Sequence, residues 1–160
     1  MLAISAYNVV LAIHIMGVVI AFGVTFAYPI MFALTARHGP RSLPLMHRIE
    51  LTINRALING GLLIVLGAGI YLASKGHHWK EFFVSWGIGA VIVIGAVTGA
   101  VLIPTSKRAR ELAERDLAAS GDGDPTFSEE YSAVTRRLNV AGSFLSLLVL
   151  VTIFFMATKP

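Results

Sequence analysis

The sequence predicts an all-α integral membrane protein, an up-and-down bundle of four transmembrane helices with both termini outside. Two observations lead to this fold class. Of the 160 residues, 56% are hydrophobic and only 14% are charged, and the mean hydropathy is +0.74, far from the balance of a soluble domain. The chain also contains four apolar segments, each near or above the roughly 20 residues that cross a hydrocarbon core. They are residues 8–36, 56–74, 82–105 and 138–158 of a single transmembrane domain, residues 1–160.

The first apolar segment, residues 8–36, contains no Lys, Arg, Asp or Glu, and its ionisable side chains are His14 and Tyr28. Pro29 is expected to bend this helix, because proline lacks a backbone donor and its ring clashes with the preceding turn. No basic residue precedes the segment, so the positive start of a signal peptide is missing. We therefore expect this helix to stay in the mature protein.

The second helix is predicted to begin near Pro44 and to end at Lys75 and Gly76. Residues 75–81 then form a tight turn that leads into the third segment. After the third segment the chain becomes polar, and residues 106–137 are expected to form a helical cytoplasmic connection. Within that connection Arg110 and Glu114 are spaced to pair at i, i+4, and Ser128 is placed to cap the fourth helix.

Basic residues set the predicted orientation. Ten of the 13 Lys and Arg residues flank the first and third connections, so the positive-inside rule places those connections in the cytoplasm and both termini outside. The same rule accounts for the net charge of +4 without nucleic acid, because the basic residues lie beside apolar segments. The expected partner is the lipid bilayer, and binding to nucleic acid is excluded.

His14 is the first candidate for chemistry, since it lies roughly 7 Å below the outer boundary at 1.5 Å per residue. A polar ring at that depth needs a partner. Two explanations stay open. The imidazole is neutral and bonds a neighbouring helix or reaches outward, or it ligates haem iron or another metal, as histidines do in helical bundles. With no cysteine in the chain, a metal would have to be held by His, carboxylate or Met.

His77 and His78 lie in the outer turn, at a level similar to that of His14, whereas His38 and His47 belong to the inner side. A cofactor site that joins His14 to His77 or His78 is therefore open geometrically. The alternative is that two adjacent histidines in an exposed turn are simply solvated.

A polar stripe marks the inner end of the second helix, where polar residues recur at intervals of 4, 3 and 4 and share one face. Its members are Arg48, Thr52, Arg55 and Asn59. Helix four carries a matching set, Asn139, Ser143 and Ser146. We expect both sets to face the bundle, which leaves Glu50 and Asn54 on another face, open to solvent. Either the arginines receive a carboxylate or phosphate substrate, or they reach lipid headgroups while Asn and Ser join the helices.

Two short motifs suggest a family. His14-x-x-Gly17 in the first helix and the terminal Met156-x-x-Lys159-Pro160 resemble a family of small bacterial integral membrane proteins of unknown function. This resemblance implies a multi-pass protein of the bacterial inner membrane. A more distant likeness links the chain to the four-helix membrane protoporphyrinogen oxidases, in which a first-helix histidine matching His14 is implicated in haem binding, and to the membrane domain of copper-resistance proteins. The chain departs from the oxidases at residues 26–32, where their Arg-, Tyr- and His-containing pattern has no match.

Two functions remain in view. One is binding of haem b or a related porphyrin through His14, with a redox or haem-handling role. The other is that of a non-catalytic subunit or assembly partner of a larger membrane complex, or of a homo-oligomer. A proton-relay pump is disfavoured, because no Asp or Glu lies within a predicted span, and no nucleotide-binding loop or Ser-His-Asp set is present.

Overall fold

The computed structural model describes residues 5–159. Pro160, the last residue of the terminal motif, and residues 1–4 of the predicted domain lie outside the described residues. Within them, four helices are long and apolar enough to cross a membrane: Ala6–His38, Pro40–Lys75, Phe82–Ser120 and Glu129–Thr158. We refer to them as the first to fourth spans. The described chain forms helices and no strand, which confirms the predicted all-α class.

Three of the four spans are interrupted. Their α-helical parts are α1 (Ala6–Phe22), α2 (Tyr28–His38), α3 (Leu43–Ile53), α4 (Asn59–Lys75), α5 (Phe82–Val97) and α6 (Ile103–Ser120), and the fourth span is the continuous α7 (Glu129–Thr158). The predicted start of the second helix is confirmed, because Pro44 lies in the first turn of α3.

The first span breaks at a 3₁₀ turn, Gly23–Phe26, just before Pro29. The proline ring clashes with the carbonyl of the residue four positions earlier, which is Thr25. At this break the Thr25 hydroxyl donates a hydrogen bond to the Phe22 carbonyl oxygen at 2.6 Å. Such bonds from a hydroxyl to the preceding turn often accompany a bend in a helix. The predicted bend therefore corresponds to a local change of helix type.

The second and third spans each contain one π-helical turn, Asn54–Ile58 and Thr98–Leu102. A π turn inserts one extra residue and rotates the helix beyond it, and such turns often occur at functional sites. In this protein residues from both turns, Asn54 and Thr98 among them, line the same internal cavity.

Consecutive spans pack antiparallel. The helix α1 packs along α4, α3 packs against α6, and α7 packs against both α5 and α6. The α1–α4 and α3–α6 contacts each join the beginning of one span to the end of the next, and α7 runs along both halves of the third span, so the predicted up-and-down bundle is confirmed.

The region after the third apolar segment is helical, as predicted, and its first helix is continuous with the third span. The helix α6 continues the third span to Ser120, and α7 already begins at Glu129, so the non-helical link is confined to residues 121–128. Both predicted local features are present. Ser128 caps α7 by accepting from the Tyr131 backbone N–H at 3.2 Å, and Arg110 pairs with Glu114 at 3.4 Å.

Candidate functional site

Two cavities lie between the spans, and we name them inner and outer after the predicted orientation of the chain. The inner cavity, of about 800 Å³, is lined by residues of α2, α3 and the first half of α7. The outer cavity, of about 410 Å³, is lined by residues of α1, α4, α5 and the end of α7. Both volumes fall in the range of roughly 300–1,000 Å³ that is usual for small-molecule sites.

An apolar partition separates the two cavities. Phe22, Ile94 and Val149 line both of them, and their exposed fractions are only 4–6%. They belong to the main hydrophobic core. The 3₁₀ turn that interrupts the first span follows directly after Phe22, so the helix changes type at the level of the partition.

The outer cavity is predominantly apolar, and His14 is one of its few polar lining residues. The Nδ1 atom of the half-buried His14 ring lies 3.0 Å from the Val65 carbonyl oxygen on α4. Because a carbonyl oxygen can only accept, Nδ1 carries the proton and Nε2 keeps its lone pair. A ring nitrogen oriented in this way, through a backbone carbonyl, is the usual arrangement of a metal-ligating histidine.

Gly69 makes room for the His14 ring. A Cβ atom at this position would lie 3.3 Å from the Cε1 atom of His14, tighter than ordinary contact. The glycine therefore lets the imidazole lie against the backbone of α4, beside the carbonyl that it bonds.

The two histidines of the outer turn are separated by the structure. His78 lines the outer cavity together with His14, and its ring packs on Phe83 with centroids 5.7 Å apart. His77 is exposed, adopts a left-handed backbone conformation with φ of 55°, and is not among the cavity residues. Within residues 5–159 no group of three or more His, Asp or Glu side chains could hold a bare metal ion.

The inner cavity contains a buried polar cluster on α3, the π turn that follows it, and α7. His47 is 1% exposed, Asn54 2% and Glu50 7%. The His47 Nε2 atom lies 3.1 Å from the Tyr131 hydroxyl, and its Nδ1 atom lies 3.5 Å from Glu50 Oε2. Both the His47 Nδ1 atom and the Glu50 Oε2 atom are buried, and neither has a hydrogen-bond partner in the described part of the chain.

A comparison with protein families matches residues 8–160 to a family model described as a predicted integral membrane protein, DUF2269. The match covers nearly the whole chain. The chain belongs to the DUF2269 family. Neither curated proteins nor solved structures give a match. The predicted kinship with small membrane proteins of unknown function is thereby confirmed.

The predicted facing of the arginine stripe is wrong in this DUF2269 protein. Arg48, Arg55 and Asn59 are exposed on the outside of the second span and do not line the inner cavity. The buried face of the second span lies one or two residues away from that stripe and carries His47, Glu50 and Asn54. Both sets obey helical spacing, and the cost of desolvating a guanidinium decides between them.

The matching set on helix four has a different outcome. Asn139 and Ser143 do line the inner cavity, as does Ser146, although Asn139 and Ser143 are largely exposed. Glu50 and Asn54, which were expected to face solvent, are buried, and Glu50 is a carboxylate within the second span that the shorter predicted segment excluded. The continuation of their face into Ile58, Gly61 and Val65, all buried, is the sequence signal that could have revealed them.

Proposed function

We propose that the outer cavity binds haem b or a related porphyrin, with His14 as the axial ligand, in a redox or haem-handling role. The observation that carries this proposal is the hydrogen bond between His14 Nδ1 and the Val65 carbonyl. This bond fixes the ring and its tautomer, and it leaves the Nε2 lone pair for a metal. A porphyrin iron needs only one or two protein ligands, in keeping with the isolated histidine.

The surroundings fit such a group. The wall of the cavity is predominantly apolar, which suits a macrocycle, and His78 and Met156 also line it. Imidazole and thioether are both known second axial ligands of haem iron. When bound, haem would supply one-electron chemistry, whereas the chain itself would orient the iron, exclude water and raise the basicity of His14 through the Val65 carbonyl.

An absorbance spectrum tests this function. The full chain is purified in mild detergent from haem-replete cells, beside the variants His14→Ala and His77→Ala. We expect a Soret band in the wild type and in His77→Ala, because His77 does not line the cavity, and loss of the band in His14→Ala. Gel filtration checks that all three proteins remain monodisperse. A wild type without a Soret band, or a His14→Ala spectrum like that of the wild type, would contradict the proposal.

A second function is favoured by one observation on the outer surface of α4. Gly60 and Gly67 are exposed, and no atom lies within 4 Å of a Cβ built on either. They are seven residues apart, hence on one face, and small residues let another membrane helix approach closely. We propose this face as the contact of a complex subunit. Purification should then yield a stoichiometric partner that Gly60→Leu with Gly67→Leu removes, whereas a single monodisperse species would argue against it.

A further inference from the structure

The geometry points to a second ligand site: we propose that the inner cavity binds an amphipathic organic cation, with Glu50 as its counter-charge. This site lies on the other side of the Phe22, Ile94 and Val149 partition from the outer cavity. It shares no polar residue with the proposed porphyrin site and does not depend on it.

The charge of the cavity is the first argument. Among its lining residues there is no Lys or Arg, and Glu50 is the single carboxylate. Glu50 is 7% exposed, and its Oε2 atom has no hydrogen-bond partner among the described residues. The imidazole of His47 lies close to this carboxylate, with its Nδ1 atom 3.5 Å from Oε2, but it carries no permanent charge. A buried carboxylate without a permanent counter-charge is costly, so a positively charged ligand is the species that this cavity would stabilise.

Aromatic rings are the second argument. The inner cavity is lined by Phe22, Phe26, Tyr28, Phe32, Phe127 and Tyr131. Three of these rings form a contiguous group with the buried His47. The Phe32 and His47 centroids are 4.8 Å apart, those of His47 and Tyr131 5.9 Å, and those of Phe127 and Tyr131 4.9 Å. Aromatic faces attract organic cations, most strongly where water is excluded.

The size and polarity of the inner cavity also favour an amphipathic cation. A volume of about 800 Å³ suits a ligand with a bulky apolar body, and most of the lining is apolar. The arginines that would favour an anionic ligand, Arg48 and Arg55, lie on the exposed face of the second span. A predominantly apolar cavity that is lined by one carboxylate and several aromatic rings therefore matches a lipophilic cation better than a phosphate or a carboxylate.

Binding of tetraphenylphosphonium to the full chain in nanodiscs tests the proposal. Empty nanodiscs control for simple partition into lipid. Tetraphenylborate, which has the same shape and the opposite charge, is measured in separate samples, because the two ions form a poorly soluble salt. We expect saturable binding of one phosphonium per chain, above the level in empty nanodiscs, and no saturable binding of the borate. Glu50→Gln should weaken binding at least tenfold, whereas Glu129→Gln, the same change at an exposed carboxylate, should match the wild type. The proposal is overturned if saturable phosphonium binding is absent, if the borate binds equally well, or if Glu50→Gln binds the phosphonium as the wild type does.

A wild-type measurement covers the case in which Glu50→Gln does not fold. Dicyclohexylcarbodiimide adds to protonated carboxyls in apolar surroundings, and peptide mass spectrometry reports the N-acylurea that forms. We expect saturating tetraphenylphosphonium to reduce labelling of Glu50 several-fold and to leave labelling of Glu129 unchanged. If Glu50 is labelled equally with and without the phosphonium, the cation does not occupy this cavity and the proposal fails.

Discussion

Gly61 sets how closely the first two spans approach. A Cβ atom on Gly61 would lie 2.6 Å from the Cβ of Ala21 and 3.3 Å from its Cα, and a Cβ on Gly17 would lie 3.1 Å from a methyl group of Val65. The α1–α4 interface is thus built from small residues on both helices, as is usual where membrane helices pack without a hydrophobic driving force. His14 is three residues from Gly17, so the same contact brings the imidazole within reach of the Val65 carbonyl.

Gly61→Ala should destabilise the protein by about 1–3 kcal/mol, the usual cost of overpacking. The added methyl group meets the rigid Cβ and backbone of Ala21, so α1 and α4 must move apart. Gly60→Ala is the matched control, because its methyl group would enter open space. Thermal unfolding in detergent measures both variants. Equal midpoints for Gly61→Ala and Gly60→Ala would show that the interface is looser than described.

The single residues differ in how well the sequence predicts them. His14 could be selected because it is one polar ring in a long uncharged segment, and such a group must find a partner. The polar cluster of His47, Glu50 and Asn54 could not be selected in the same way. Helical periodicity allows two polar faces at the inner end of the second helix, and only the position of the neighbouring helix α6 shows which one is buried.

Hydrogen bonds to one carboxylate, that of Asp116, connect α6 to the start of α7. Asp116, near the end of α6, accepts from the Ser128 backbone N–H at 2.8 Å and from the Ser128 hydroxyl at 2.7 Å. Arg115 contacts the other carboxylate oxygen at 3.0 Å. Ser128 caps α7 at the same time, so one carboxylate joins the end of the third span to the start of the fourth, beyond the apolar parts of both.

Low pH should weaken the connection between α6 and α7 that Asp116 makes. The Ser128 N–H and hydroxyl, and then Arg115, hold the pKa of Asp116 below its ordinary value of 3.8. A carboxyl whose folded pKa is lowered contributes stability that is fully present above the ordinary value and is lost as the pH falls through the folded value. We expect faster amide hydrogen exchange in residues 121–128 as the pH drops below about 4, after correction for the intrinsic exchange rate.

The matched variants for this connection are Asp116→Asn and Glu111→Gln. Asp116→Asn should show faster amide hydrogen exchange in residues 121–128 already at neutral pH, with little further increase in acid. Glu111 is exposed on the same helix, so Glu111→Gln should retain the wild-type pH profile. An Asp116→Asn protein that exchanges like the wild type at neutral pH would mean that this carboxylate does not hold the two helices together.

Helix starts and caps were predictable because they depend on local chemistry: Pro44 in the first turn of α3, Ser128 as a cap and Pro29 near a bend. The π turns were not, because no residue type demands them, and they follow from how the second and third spans pack. For the same reason the third span was predicted to end at residue 105, where its apolar part ends, although α6 continues as a polar helix packed on α3 and α7.

Across the bundle, the four-span architecture was predictable from hydropathy alone, whereas its division into two cavities was not. The first, third and fourth spans contribute Phe22, Ile94 and Val149 to the partition, and their meeting there depends on tertiary packing. The cavity with His14 lies near the turn at residues 75–81, and the cavity with Glu50 lies near the link at residues 121–128. Both proposed sites require that these two segments lie on opposite sides of the membrane.

Single-cysteine labelling tests that arrangement most directly, because the chain contains no cysteine and any label on the purified chain therefore comes from the introduced residue. Lys80→Cys and Asp122→Cys, both exposed positions, are expressed separately in spheroplasts and treated with a membrane-impermeant maleimide. We predict that residue 80 is labelled in intact spheroplasts and that residue 122 is labelled only after permeabilisation. The reverse pattern would contradict the predicted orientation, and labelling of both positions from the same side would contradict the four-span bundle itself.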